Sequence, residues 1–116
     1  MHTPSARLRI EDILAEIATA TEILDERTFA ELQDDKASRR AIERCIEIIS
    51  EAARHLPAEL TDRYPEVSWS NIRGIGNILR HEYGRVDDLL MWRVAAERLP
   101  ELRLVIEKML AEFPDA

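Results

Sequence analysis

Arg73, Asn77 and His81 stand four residues apart in a chain of 116. On an α-helix each step of four drifts by only ~40°, so the three would form one polar stripe ~12 Å long. Histidine is the side chain whose ordinary titration, near ~6.5, lets it exchange protons at neutral pH. It could take the proton from a ribose 2′-hydroxyl. That oxygen would then attack the adjacent phosphorus, and the chain would break with a cyclic phosphate end. A guanidinium would stabilise charge on the phosphoryl oxygens, and Asn77 would orient the phosphate or the imidazole. The spacing leaves between Arg73 and His81 a gap about the size of a phosphate group. Such a stripe suits cleavage of an RNA phosphodiester without a metal. A stripe of this kind is also common on plain solvated surface. Gly74 and Gly76 add weight, because each glycine costs a helix interior ~1 kcal/mol relative to alanine and asks for a reason such as close approach of a helix or ligand.

The stripe needs a helix beneath it. Ile72, Ile75 and Leu79 supply the apolar side of one running from about Ser68 to Tyr83 and capped near Gly84. Three further helices would support it. The first spans about Ser5 to Leu24, with Ser5 as N-cap and Leu8, Ile10, Ile13, Leu14, Ile17 and Leu24 as its stripe. The second spans about Ser38 to Leu56 and has the clearest pattern, Ile42, Cys45, Ile46, Ile49, Ala52, Ala53 and Leu56, until Pro57 stops it. The last begins near Asp87, carries Leu89, Leu90, Trp92, Ala95, Ala96 and Leu99, and is kinked or divided at Pro100 before Leu102 to Phe113. Thr28 to Lys36 reads as a connector anchored by Phe29 and Leu32. Residues 57–67 read as a link with one short helical turn. The expected fold is all-α, an antiparallel bundle of four to five helices forming a single domain over residues 1–116. Helices this long in so short a chain favour a homodimer.

Composition narrows the function. The net charge is −7, which opposes broad, sequence-independent nucleic-acid binding. Yet Trp69 to Arg85 holds three arginines against one glutamate, a local +2, leaving −9 on the remainder. No run approaches the ~20 apolar residues of a membrane span, and Met1 to Ser5 lacks a signal-peptide layout, so the expected location is cytoplasmic. Cys45 lies in an apolar stripe and reads as a reduced core residue. His2 and His55 read as surface residues, His55 near its helix's C-terminal dipole. The three histidines and one cysteine show no metal-ligand spacing, so neither metal nor cofactor is expected. Glu51 reads equally well as partly buried facing an arginine of the Ser68–Tyr83 helix, or as exposed. Trp69 and Trp92 read as packing anchors.

The run Trp69…Ile72…Asn77-Ile78-Leu79-Arg80-His81-Glu82-Tyr83, with Asp87 and Trp92 after it, resembles the signature region of HepT-like proteins, the HEPN-fold toxins of prokaryotic toxin–antitoxin pairs. Ser50-Glu51-Ala52-Ala53 and the Leu99-Pro100 break are also similar. The resemblance implies a HEPN-type helical dimer that cleaves RNA without a metal, through an Arg-x(4–6)-His motif in a cleft shared by two copies. It implies a minimal nucleotidyltransferase antitoxin as partner, which silences the toxin by AMP transfer to a tyrosine. By position the catalytic histidine is His81, the polar residue Asn77 and the modified tyrosine Tyr83. One departure stands out. The family's arginine directly precedes the asparagine, and here that place is Gly76. Arg73 and Arg80 are the candidates to replace it. Arg73 shares the stripe, whereas Arg80 points about 100° away around the helix. The departure leaves a second expectation beside the nuclease: an inactive dimer that binds the nucleotidyltransferase.

Overall fold

The computed structural model describes residues 6–79 and 87–112, apart from the side chain of Ile78. These residues form seven α-helices and one π-helical turn, with no strand among them. The fold is the all-α helical bundle that the periodicity predicts.

Helix α1 (Ala6–Leu24) buries Ile10, Ile13, Ile17, Ala20 and Leu24, a seam with steps of three and four. Leu8 is a correction: it is 48% exposed, because two residues before Ile10 puts it about 200° off that seam. The Thr28–Lys36 connector contains a short helix, α2 (Phe29–Gln33). The Thr28 side chain accepts from the Glu31 amide while the Glu31 side chain accepts from the Thr28 amide, a reciprocal cap that lets five residues hold a turn. Leu32 is buried and Phe29 meets the Trp92 ring, as anchors should.

Helix α3 (Lys36–Arg54) begins two residues earlier than the sequence suggests, since Asp35 rather than Ser38 caps it, accepting from the Ser38 amide and hydroxyl. The Arg27 guanidinium holds that carboxylate at 2.8 Å and, with the Ser38 bonds, keeps its pKa far below the usual carboxylate range. Arg27 also donates to the carbonyls of Ile23 and Leu24, closing the end of α1 after Asp25 and Glu26, which both adopt positive φ.

Helix α4 (Ala58–Thr61) is the short turn expected after Pro57. Helix α5 (Trp69–Leu79) follows. Its expected continuation to Tyr83 and the Gly84 cap lie outside the described residues, as do Ser5 and Phe113. Helix α6 (Asp88–Arg93) is capped by Asp87. It runs through a π turn, Val94–Arg98, into α7 (Leu99–Ala111). The sequence places a kink or a division here; the chain continues helically through a widened turn. Pro100 has no N–H to give the carbonyl four residues back, and the π turn absorbs that loss. The core face is therefore Met91, Val94, Ala95, Leu99, Leu102, Val105, Ile106 and Met109, while Leu89 is 42% exposed.

The buried side chains form one continuous cluster. Helix α1 packs most extensively on α3, and α3 in turn on α5, with α7 closing against α1. Among the described residues no helix is long and apolar enough to cross a membrane.

Candidate functional site

Helix α5 lies antiparallel along α3. Moving forward on α3, Glu47 and Ser50 meet position 76, and Ser50 and Arg54 meet Arg73. The sequence dictates this seat. Leu79 is fully buried and Ile72 and Ile75 pack half-buried on the core. At the other end Trp69 is buried, and its indole N–H donates to the Tyr64 carbonyl at 3.0 Å. Trp92, half-buried, donates its indole N–H to the Arg27 carbonyl at 3.0 Å, so both tryptophans are packing anchors.

The two glycines differ. A Cβ at Gly76 would lie 3.5 Å from Ser50 Oγ and 3.9 Å from Glu47 Cα, so here α5 rests closely on α3. A Cβ at Gly74 would meet nothing within 4 Å. The outward face around Gly74 is Ser70, Asn71 and Asn77, all exposed.

Asn77 thus stands where the sequence places it, on an open polar face. Arg73 is half-buried and its guanidinium is turned to α4, where Nη2 donates to Thr61 Oγ1 at 3.2 Å. Its backbone carbonyl accepts from Ser50 Oγ at 2.7 Å and from Arg54 Nε at 3.0 Å. Other arginines lie against carboxylates, such as Arg27 on Asp35 at 2.8 Å and Arg63 on Glu112 at 2.9 Å. Arg73 has none: among the described residues the Thr61 hydroxyl is the sole partner of its guanidinium. Arg80, His81 and Tyr83 lie outside the described residues.

Sequence reasoning missed Arg54 and Thr61 and gave Ser50 no role. Ser50 carried a signal, being a polar residue one step of four from Ile46 within the α3 seam; Thr61, in a link, carried none. Glu51 is exposed and pairs within its own helix, with Arg54 at 2.8 Å and His55 at 3.1 Å. His55 first, then Arg54, holds its carboxyl below the usual range. Cys45 is buried, and burial, with Glu16 adding to it, pushes the thiol up to about 12. A thiol so protonated is no nucleophile at neutral pH. Among the described residues no three of His, Cys, Asp or Glu come together as metal ligands. What these residues offer a substrate is a guanidinium and an amide, groups suited to phosphate oxygens.

A family model for HepT-like ribonucleases matches residues 13–109, which includes α3, α5 and the segment between α5 and α6. The chain belongs to the HepT-like ribonuclease family. It is 33% identical over 110 residues to an RNase candidate of Caldanaerobacter subterraneus subsp. tengcongensis, covering 95% of this chain and 96% of that protein. It is 32% identical over 103 residues to a probable ribonuclease HepT of Thermococcus cleftensis, covering 85% of this chain and 94% of that one. An RNase candidate of Methanocaldococcus jannaschii is 31% identical over 96 residues, 83% of this chain and 88% of its own length. No solved structure matches the chain. Position 76 of this HepT-like chain is the glycine packed on Ser50.

Proposed function

We propose that this HepT-like chain is a metal-independent endoribonuclease toxin of a toxin–antitoxin pair, working in the cytoplasm as a homodimer. His81 acts as the general base on a ribose 2′-hydroxyl, Asn77 orients the phosphate, and a guanidinium offsets its developing charge. A minimal nucleotidyltransferase antitoxin silences it by transferring AMP to Tyr83. The observation that carries the reading is family membership across residues 13–109 combined with the open placement of Asn77 on α5, four residues before His81. Arg73 supports it further, as a half-buried cation without a carboxylate partner among the described residues. The expected result is cleavage of single-stranded RNA by purified protein in EDTA, leaving cyclic phosphate ends. Intact RNA under these conditions removes the nuclease reading. Made together with an active nucleotidyltransferase and ATP, the protein should gain the mass of one AMP on Tyr83; an unmodified Tyr83 removes the silencing step.

One observation favours a second reading, a non-catalytic dimer that binds the nucleotidyltransferase: Gly76 stands where the family has its arginine. Gly76→Arg separates the two. Its Cβ makes only ordinary contact with Ser50, and a thermal melt checks that the longer side chain leaves the variant folded. On the nuclease reading wild-type protein already cuts and the variant gains nothing. Activity in the variant alone establishes the module.

A further inference from the structure

Among the described residues the buried polar side chains, the aromatics aside, are Ser50 and Thr61, at 1% and 3% exposure. Both bond to the same residue. Ser50 Oγ donates to the Arg73 carbonyl at 2.7 Å, and Thr61 Oγ1 accepts from Arg73 Nη2 at 3.2 Å. A third side chain joins them, because Arg54 Nε also donates to that carbonyl at 3.0 Å. We propose that Ser50, Arg54 and Thr61 are positioning residues that hold Arg73 as the RNA phosphate-binding group, the role that the family signature gives to an arginine at position 76. The proposal rests on the RNA-cleaving reading above.

Burying a hydroxyl costs free energy unless it is hydrogen-bonded, so spending both such groups on one residue fixes that residue in particular. A simple staple between α3 and α5 would need only the bonds to the Arg73 carbonyl. The Thr61 bond does something else, since it fixes the cationic end. The Thr61 hydroxyl donates in turn to the Ala58 carbonyl at 3.3 Å. Its proton is therefore engaged, and its lone pairs face the guanidinium. A carboxylate at this place would neutralise Arg73. A neutral hydroxyl orients it and leaves its charge for an anion. At position 76 α5 lies beside Ser50, whose hydroxyl reaches the Arg73 carbonyl one turn earlier on α5.

The test measures RNA affinity in a His81→Ala parent, which binds without cutting, by anisotropy of a short labelled single-stranded RNA across a salt series. Arg73→Met should weaken binding about tenfold and lower the slope of log K against log salt by about 0.7, one phosphate contact on a single strand. Thr61→Val should weaken it about fivefold, and Thr61→Ser should restore the parent affinity to within about twofold. Binding by Arg73→Met with the affinity and slope of the parent overturns the proposal, whether or not Thr61→Val folds. A Thr61→Val protein that melts lower but binds RNA as the parent does overturns it too, leaving Thr61 a purely structural role. A parent that fails to bind RNA at all defeats the nuclease reading and this proposal together.

Discussion

Replacing His81 by alanine is expected to reduce RNA cleavage by on the order of a thousandfold, which in most assays reads as abolition. General-base catalysis by a positioned imidazole contributes roughly 10²–10⁴ in rate, and little among the described residues can stand in for it. Of the other histidines, His55 is described, and it is committed to Glu51 at 3.1 Å, one helical turn away on α3. Cys45 is buried with its thiol pushed up to about 12, so it cannot take a proton at neutral pH. Glu51, which shares Arg54 with the Arg73 carbonyl, is held ionised by His55 and Arg54; a base so stabilised attracts a proton weakly. The check is single-turnover cleavage of a defined RNA by wild-type and His81→Ala protein in EDTA, with thermal melts alongside. Equal rates from two equally stable proteins would remove His81 from the chemistry. A loss of only a few fold would give His81 a part in binding rather than in proton transfer.

The bundle was legible because apolar periodicity records burial directly. The steps of three and four from Ile42 to Ala53 predict α3, and all seven of its buried positions but Ser50 belong to that pattern. Where other physics decides, periodicity says less. The α2 turn depends on a reciprocal cap between Thr28 and Glu31 that no apolar spacing announces. The start of α3 was set by a carboxylate cap at Asp35. On α6 the expected Leu90 and Trp92 do pack on the core, while Leu89 is exposed and the π turn keeps the unforeseen Met91 and Val94 in register with α7. The candidate site shows the same division. Asn77 on an open face follows from helical geometry alone. The direction of the Arg73 side chain does not, since only 40° separates its Cβ from that of Asn77 while a long flexible side chain can lean well away from its Cβ. What draws it aside is a hydroxyl twelve residues earlier, on α4. A contact across elements of that kind has no local signature. Nor did the sequence say which glycine is the close one: Gly74 and Gly76 read alike until the path of α3 is known.

The largest stability loss outside the α1–α3 seam is expected from Trp69→Ala, because Trp69 is where α5 is fastened. Its ring is 7% exposed and its N–H is the donor to the Tyr64 carbonyl, so the residue joins the α4–α5 link to the first turn of α5. Truncating a buried tryptophan costs about 3–5 kcal/mol, a large part of the 5–15 kcal/mol typical of a small domain. Trp69→Phe isolates the polar share. It keeps much of the apolar burial but leaves the Tyr64 carbonyl without its donor, which costs about 1–3 kcal/mol. The order wild type, Trp69→Phe, Trp69→Ala should therefore appear in urea midpoints, with the slopes of the transitions alike if all three unfold as one unit. The functional consequence follows from the same geometry. Helix α5 carries Arg73 and Asn77 only 4 and 8 residues beyond Trp69, and a catalytic arrangement displaced by about 1 Å can lose 10²-fold in rate. Trp69→Phe should accordingly lose RNA cleavage at temperatures where it is still fully folded. A Trp69→Phe protein with wild-type activity would show that α3 alone, through Ser50 and Arg54, sets the place of the helix. A Trp69→Ala protein as stable as wild type would show that the indole fastens nothing.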